Sequence, residues 1–471
     1  MAADDNTIAG QAVVLGASLA GLLTAAVLAQ RLDRVTIIER DRLPTGPAWR
    51  RGVPQARHAH NLMTAGHAAM EELFPGIRDE LLQAGMVKVR MPQDILLLTA
   101  GGWMPRFETD LAMFTSSRTV IDSVVLKRVR ALPNVTIIDE AEAVGLLTSP
   151  DNQRVLGARV RRKTAGGEWG LPEALTADLL VDAAGRNSHA PEWLEALGCG
   201  PTPESVVDAK TSYSTCVFEP PAGHSADWNC ILLQYSPDNP RQGILNPIED
   251  GRWMVSLAAL GDSRPPHDIE GYLQFARTLR SPILHEVLSN ATPVSPIHSS
   301  GRTENRRRHY ERLSRWPDRL VVLGDAAGAL NPSYGQGMSV AARSALALGQ
   351  ALDSAGTLDG VGAGFRKKVA RCIDLAWAIA ATADLAYPWA ASKVGVGPRM
   401  QLKYLYRVIA ASPHSRAASQ ALLDINQMVA SPQAIARPRV LAAALRGSRR
   451  PFDPRDAPPA LPGRATPAIT H

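Results

Sequence analysis

The chain carries little that would staple it, anchor it in a bilayer or seat it on nucleic acid. Only four cysteines occur in 471 residues (Cys199, Cys216, Cys230 and Cys372), and none forms a C-x-x-C pair. That scatter argues against a zinc ribbon or a disulfide framework and fits a reducing, cytoplasmic setting. Lysine is scarce too, at 8 of the 51 basic residues. A formal net charge of +6 would ordinarily raise nucleic acid or anionic lipid as a partner. Arginine this far ahead of lysine, with abundant Ala, Gly and Pro, reads instead as GC-rich coding bias. No Lys-rich tract or basic face with interleaved aromatics is present, so no nucleic-acid partner is expected. Internal repeats are absent as well.

One apolar run, AVVLGASLAGLLTAAVLA (12–29), approaches the length of a short membrane span. Its upstream flank, MAADDNTIAGQ, is acidic where a signal peptide needs cations, and a charged stretch (31–42) follows it. The run is therefore expected to be buried in protein, and no integral membrane segment is expected.

What the run does contain is a set of glycines at meaningful spacing. Residues 12–15 read as a buried parallel strand, followed by Gly16-Ala-Ser18-Leu-Ala-Gly21, a helical stretch to about Arg31, and a second strand (34–38) ending at Glu39. This strand–turn–helix–strand order is the context a dinucleotide fingerprint requires. Gly16 permits the tight turn, and Gly21 lets helix and strand pack closely. The helix N-terminus offers unpaired N–H groups to a pyrophosphate. Glu39, 23 residues after Gly16, is placed to accept hydrogen bonds from a ribose. Ser18 replaces the central glycine but still permits close backbone approach. The fingerprint alone does not separate FAD from NAD.

Two further strand-to-loop corners follow. LLVDAAGRNS (179–188) ends a strand at Asp182 and turns at Gly185. RLVVLGDAAGALNPSYGQGMSVA (319–341) runs a strand into Gly324-Asp325, then a Pro/Gly loop, then a helix from about Gly337 with apolar residues at helical spacing. A strand-end aspartate can hydrogen-bond a polyol, and the glycines let backbone N–H groups approach a planar ring. The helix N-terminus can stabilise negative charge on a ring edge.

The segment RRGVPQARHAH (50–60), with His67 beyond it, places three histidines and three arginines in 18 residues. No carboxylate or cysteine lies at ligand spacing, which argues against a metal site. His58 and His60 alternate as in a strand and share a face. Arg51, Gln55 and Arg57 are the better candidates for an anion or cofactor contact.

Taken together, GxSxxG…E, DxxGRxS and GDAAxxxxPxxGQGM resemble the FAD-dependent aromatic hydroxylase and squalene epoxidase superfamily. More narrowly, RRGVPQARHAH, SSRTVIDSVVL (116–126), PIEDGRW (247–253), NRRRHYERLSRWPDRLVVLGDA (305–326) and DLAWAIAATADLAYP (374–388) look like the bacterial epoxidases of polyether polyketides. The resemblance spans about residues 10 to 430. It implies that Gly16, Ser18, Ala20 and Gly21 hold the FAD pyrophosphate, that Glu39 binds the adenosine ribose, and that Arg40 lies beside the adenine. Arg118, opening a helix, matches the arginine that reaches the phosphates or ribityl chain. Val144 matches the position whose backbone recognises adenine, and Asp325 the acid on the ribityl and pyrophosphate region. Pro332, Gly335, Gln336, Gly337 and Met338 match the loop under the isoalloxazine ring.

The chemistry so implied is transfer of one oxygen atom from O2 through a flavin C4a-hydroperoxide, carried by the flavin with no catalytic side chain assigned. Epoxidation of alkenes in an apolar polyketide or terpenoid of bacterial secondary metabolism, free or carrier-linked, is the first expectation. Aromatic-ring hydroxylation is second, then alkene reduction, then halogenation, although no WxWxIP stretch of the flavin halogenases is present. Two departures stand out. GQGM replaces the GHGM common in the polyether enzymes, as it does across the wider hydroxylase group. The Asp182–Ser188 motif also lacks the arginine associated with NAD(P)H handling, so electrons are expected from NAD(P)H directly or through a separate flavin reductase.

The expected architecture is α/β: a discontinuous Rossmann-type FAD-binding domain like that of glutathione reductase (8–85, 114–205 and 300–355), a β-sheet substrate domain (86–113 and 206–299) and a helical cap (356–445). Trp377, Tyr387 and Trp389 in the cap are expected to be core. Residues 446–471, with six prolines in the last 21 positions, are expected to be disordered. Arg306-Arg307-Arg308 reads as a solvated turn.

Overall fold

Five short strands rich in Val, Ile and Leu build a parallel sheet in the order Leu320–Val322, Leu179–Asp182, Ile8–Leu15, Leu32–Ile38, Val135–Ile138. Near-continuous apolar runs suit such a sheet because helices cover both of its faces. The first strand of the chain is its centre, and the connections run off in opposite directions on either side. That reversal leaves a crevice at the carboxyl ends of the strands, where Gly16, Glu39, Asp182 and Leu323 stand. The structure, a computed structural model, describes residues 8–301, 303–390, 396–446, 452–454 and 456–461.

The helix Leu19–Ala29 packs beneath this sheet and is buried almost all round, as its uniformly apolar sequence requires. The long helix Gly337–Ala355 lies against it. Close approach there needs a residue without a side chain: a Cβ on Gly349 would fall 3.0 Å from Val27 Cγ1.

A second, eight-stranded sheet draws strands from Ile95–Thr99, Gly102–Trp103 and from 212 to 300. It is antiparallel except where Cys230–Leu233 runs parallel to Ile95–Thr99. Its outer face, including Phe218, Ile231, Val255 and Leu257, packs on the helices Ile269–Arg277 and Ile283–Ser289. Buried Tyr272 crosses that interface and donates its hydroxyl to the Val255 carbonyl at 2.8 Å. The inner face, which carries Thr215, Ser256, Ile244 and Leu232 in one cross-strand row, turns toward the segment 58–63. A small sheet of His60–Leu62, Ala112–Ser116 and Val87–Arg90 joins the two large ones.

Helices Val361–Asp384, Val396–Ala411, Arg416–Asn426 and Pro438–Arg446 follow. Their aromatics divide. Trp377 packs on the main core and Tyr387 is buried with Tyr213 and Tyr235. Trp389, expected to be core, is 43% exposed and donates its indole N–H to the Ala209 carbonyl.

One expectation is corrected. Arg306-Arg307-Arg308 is no solvated turn: Asn305–Arg308 is a strand between Glu204–Val207 and Gly328–Ala329. Each guanidinium meets a carboxylate, Arg306 and Arg308 on Glu204 and Arg307 on Asp374, so charge that was read as hydration is answered within the fold. Some described residues of the tail have contacts with the body. Phe452 lies under Arg280 at 4.5 Å, Trp103 donates to the Asp456 carbonyl, and Arg106 reaches the Pro459 carbonyl. Prolines restrict the chain before it docks, so docking costs less entropy. The rest of the tail, expected to be disordered, lies outside the described residues.

The strand reading separates two neighbouring arginines. Arg308→Ala removes a buried guanidinium bonded to Glu204 and to the Ala326 carbonyl and should cost about 2–4 kcal/mol. Arg306→Ala, more exposed, should cost less than about 1 kcal/mol. Urea unfolding of both variants checks the difference, and equal, small losses would restore the solvated turn.

Candidate functional site

The turn after the first strand is closed by steric necessity. Gly16 sits at φ +98°, and a Cβ there would lie 2.7 Å from the Ala183 carbonyl oxygen. A Cβ on Gly21 would lie 1.8 Å from the Gly16 carbonyl oxygen, an impossible contact. Gly324, at φ +63°, would meet the Ala20 methyl at 2.8 Å. Fingerprint loop and Gly324-Asp325 corner thus lie in direct contact. Ser18 is the N-cap of Leu19–Ala29, with its hydroxyl not spent on capping. The first-turn N–H groups that it leaves uncapped are anion-binding groups.

Arg118 reaches this turn from a distant part of the sequence. It opens the helix Arg118–Arg130, is 5% exposed, pairs with Asp122 at 2.7 Å and comes within 3.5 Å of Ser18 Oγ. Its charge is felt by Asp325 and by His60. Burial pushes the half-buried Asp325 carboxyl above its ordinary range, while Arg186 and Arg118 oppose the shift. Gly16, Ser18, Ala20, Gly21, Arg118 and Asp325 are therefore one neighbourhood.

Glu39 extends it along the sheet edge. One carboxylate oxygen accepts from the Ala17 N–H at 2.8 Å and meets Arg50 at 2.9 Å; the other accepts from the Asp41 N–H at 2.9 Å. Its own carbonyl accepts from Ala141, the first residue of the strand Ala141–Thr148. Val144 lies inside that strand, three residues further on, at a register shift between Ala143–Val160 and Gly145–Arg159. As the extra residue of a bulge it is left out of the ladder pairing, and its backbone can serve a ligand.

Not every candidate joins. Arg40 and Arg51 are exposed and Gln55 is half-buried. The cation that grips Glu39 is Arg50, which also donates to the Ala17 carbonyl at 2.8 Å. Sequence reading passed over it, although an arginine eleven residues after the acid was available as a signal. Arg57 turns the other way, stacking on Trp49 and reaching His298. Asp182 is fully buried and closes its own turn, accepting from the Ala184 N–H and the Ser188 hydroxyl. Gly185 follows at φ +79°.

The loop Pro332–Tyr334 ends at Gly335, φ +70°, where a Cβ would be 2.8 Å from Met63 Cε. Gln336 is 2% exposed, and neither atom of its amide has a hydrogen-bond partner among the described residues. A buried, unanswered amide is costly, and a hydrogen-bonding ligand would relieve that cost. Gly337 has open space where a side chain would be, and Met338 is buried. The segment 58–63 is layered between this loop and the inner face of the large sheet: Asn61 meets Asn246 at 2.7 Å and His58 meets Thr215 at 2.8 Å. Burial, with the charges of His60, His298 and Arg57, pulls the His58 pKa down to about 3, so it is a neutral partner at physiological pH. Among the described residues no group of three or more His, Cys, Asp or Glu side chains could hold a metal ion.

Residues 10–382 match the family described as the FAD binding domain. The chain belongs to this family. FAD is thus the cofactor that the family implies, and the glycine cradle, the bulge at Val144 and the unanswered Gln336 amide fit it. A family relative, "Protein Rv3254" of Mycobacterium tuberculosis, is 33% identical over 349 residues, 72% of each chain. The fold is that of the flavin-dependent brominase Bmp2 (TM-score 0.63, 13% identity, 89% of this chain and 93% of that one). It is likewise that of PqsL from Pseudomonas aeruginosa, described as a probable FAD-dependent monooxygenase (TM-score 0.59, 18% identity, 80% and 97%).

Arg50 and Arg51 give a direct contrast. Arg50→Ala leaves the buried Glu39 without its cation and should weaken FAD binding about tenfold or more. Arg51→Ala should change it less than about twofold. Fluorescence titration of the apoprotein with FAD measures both, and the reverse ranking would remove Arg50 from the site.

Proposed function

We propose that the protein is an FAD-dependent monooxygenase that passes one oxygen atom of O2 to an apolar small molecule, with epoxidation of an alkene as its reaction. Bound FAD, once reduced, supplies the activation of O2. The protein's part is to bind, orient and keep water out. In this reading the Gly16–Gly21 turn and Arg118 hold the pyrophosphate, Glu39 with Arg50 the ribose, the Val144 backbone the adenine, and Asp325 the ribityl chain. Pro332 and the Gly335–Met338 loop carry the ring. The N-terminus of Gly337–Ala355, a helix of 19 residues, favours negative charge on the reduced ring edge.

The observation that carries the substrate side is the inner face of the eight-stranded sheet. Leu232, Ile244, Met254 and Ala258 lie on the face that looks toward 58–63. Tyr235 there touches Ser333 of the ring loop at 3.2 Å through its hydroxyl. An apolar floor abutting the ring loop suits an alkene, which needs no protein base, and the neighbouring His58 is held neutral. Electrons come from NAD(P)H directly or through a separate flavin reductase.

Incubating the reduced holoprotein with 18O2 and a panel of polyene, terpenoid and phenolic substrates tests this. An alkene product heavier by one labelled oxygen is expected. A labelled phenol would assign ring hydroxylation, a product gaining two hydrogens would assign alkene reduction, and a brominated product in the presence of bromide would assign halogenation. Any of these three overturns the epoxidase reading.

A further inference from the structure

Asp384 is the last residue of the helix Val361–Asp384 and is completely buried. A carboxylate there is opposed three ways. It is desolvated, it lies at the negative end of the helix dipole, and no cation pairs with it among the described residues. What it has is a ring of neutral donors. Tyr334 donates its hydroxyl at 2.6 Å, Asn305 its amide at 2.6 Å, and Asn331 its amide at 3.2 Å. Two of the three belong to the segment leading into Gly335, and Asn305 also accepts from the Asn331 N–H at 2.7 Å. Asn331 in turn caps the Pro332–Tyr334 turn through the Ser333 N–H and donates to Thr211.

We propose that Asp384 is a positioning residue for the flavin ring: its ionised carboxylate holds the Asn331–Tyr334 turn in register, and its protonation loosens that turn and weakens FAD binding. The proposal rests on the reading that 332–338 carries the ring. Every neighbour of Asp384 donates, so an ionised carboxylate satisfies all of them, whereas a protonated one must turn a donor away. The titratable groups facing it are Tyr334 from the loop, Tyr235 from the substrate sheet, Tyr387 beyond the helix and Asp208 before the strand Ser212–Glu219. None is a cation, and all three phenols are pushed above their ordinary range by burial. Burial raises Asp384 itself to about 6, so its charge changes within the stable pH range. The sign follows. If FAD prefers the ionised form, binding is strongest above about pH 6 and weakens as pH falls through it.

The test is the dissociation constant of FAD from the full-length apoprotein between pH 5 and 8, read by fluorescence, with ADP-ribose, which lacks the ring, as the companion probe. For the wild type, the FAD constant should rise about fivefold on going from pH 7.5 to 5, the equivalent of one neutral hydrogen bond, while the ADP-ribose constant stays flat. Asp384→Asn should bind FAD more weakly and without the inflection. Tyr334→Phe, which removes a donor to the carboxylate, should keep the inflection but move it to higher pH. A wild-type profile that is flat, or an inflection that persists in D384N or appears equally for ADP-ribose, overturns the assignment while leaving the cofactor site intact. Failure of the wild type to bind FAD at any pH overturns the underlying site reading, and this inference with it.

Discussion

The structure turns on backbone contacts that tolerate no side chain. Gly21 lies against the Gly16 carbonyl and Gly324 against Ala20, so the fingerprint turn and the Gly324-Asp325 corner are held at van der Waals distance. Everything proposed for the cofactor follows from that junction. It puts the N-terminus of Leu19–Ala29 beside Asp325 and within reach of Arg118, although these residues are some 100 to 300 positions apart in the chain. Such a junction cannot be loosened by degrees, because a methyl group at Gly21 would have to displace the strand or the helix.

A second constraint is layering. The segment 58–63 is pressed between the loop Pro332–Gly335 and the inner face of the large sheet, held by Asn61 on Asn246 and by His58 on Thr215. The three histidines at 58, 60 and 67, which could suggest a metal, are accounted for differently. His58 and His60 are neutral partners of a hydroxyl and a carbonyl, and His67 stacks edge-on against Phe114.

Much of the fold around these turns was legible in the sequence because each turn is local. Gly16, Ser18, Gly21 and Glu39 lie on one strand–helix–strand unit, and apolar runs flanked by glycines report such units directly. The helix from Gly337 and the opening of a helix at Arg118 were legible for the same reason. What was not legible depends on partners far away in sequence. Arg50 outranks Arg51 only because the chain folds it back onto Glu39. Arg306–Arg308 looks hydrated until Glu204 and Asp374 are brought alongside. Phe452 needs Arg280 to become a docking point. Asp384, in an alanine-rich helix, gives no local sign that three donors surround it.

The most direct measurement is the visible spectrum of the purified protein, with its stoichiometry after titration of the apoprotein with FAD. A flavin spectrum saturating at one FAD per chain is expected, and it should be lost when Gly21→Ala fills the contact with the Gly16 carbonyl. Absence of flavin absorbance, with no saturable binding of added FAD, would contradict the account at its base.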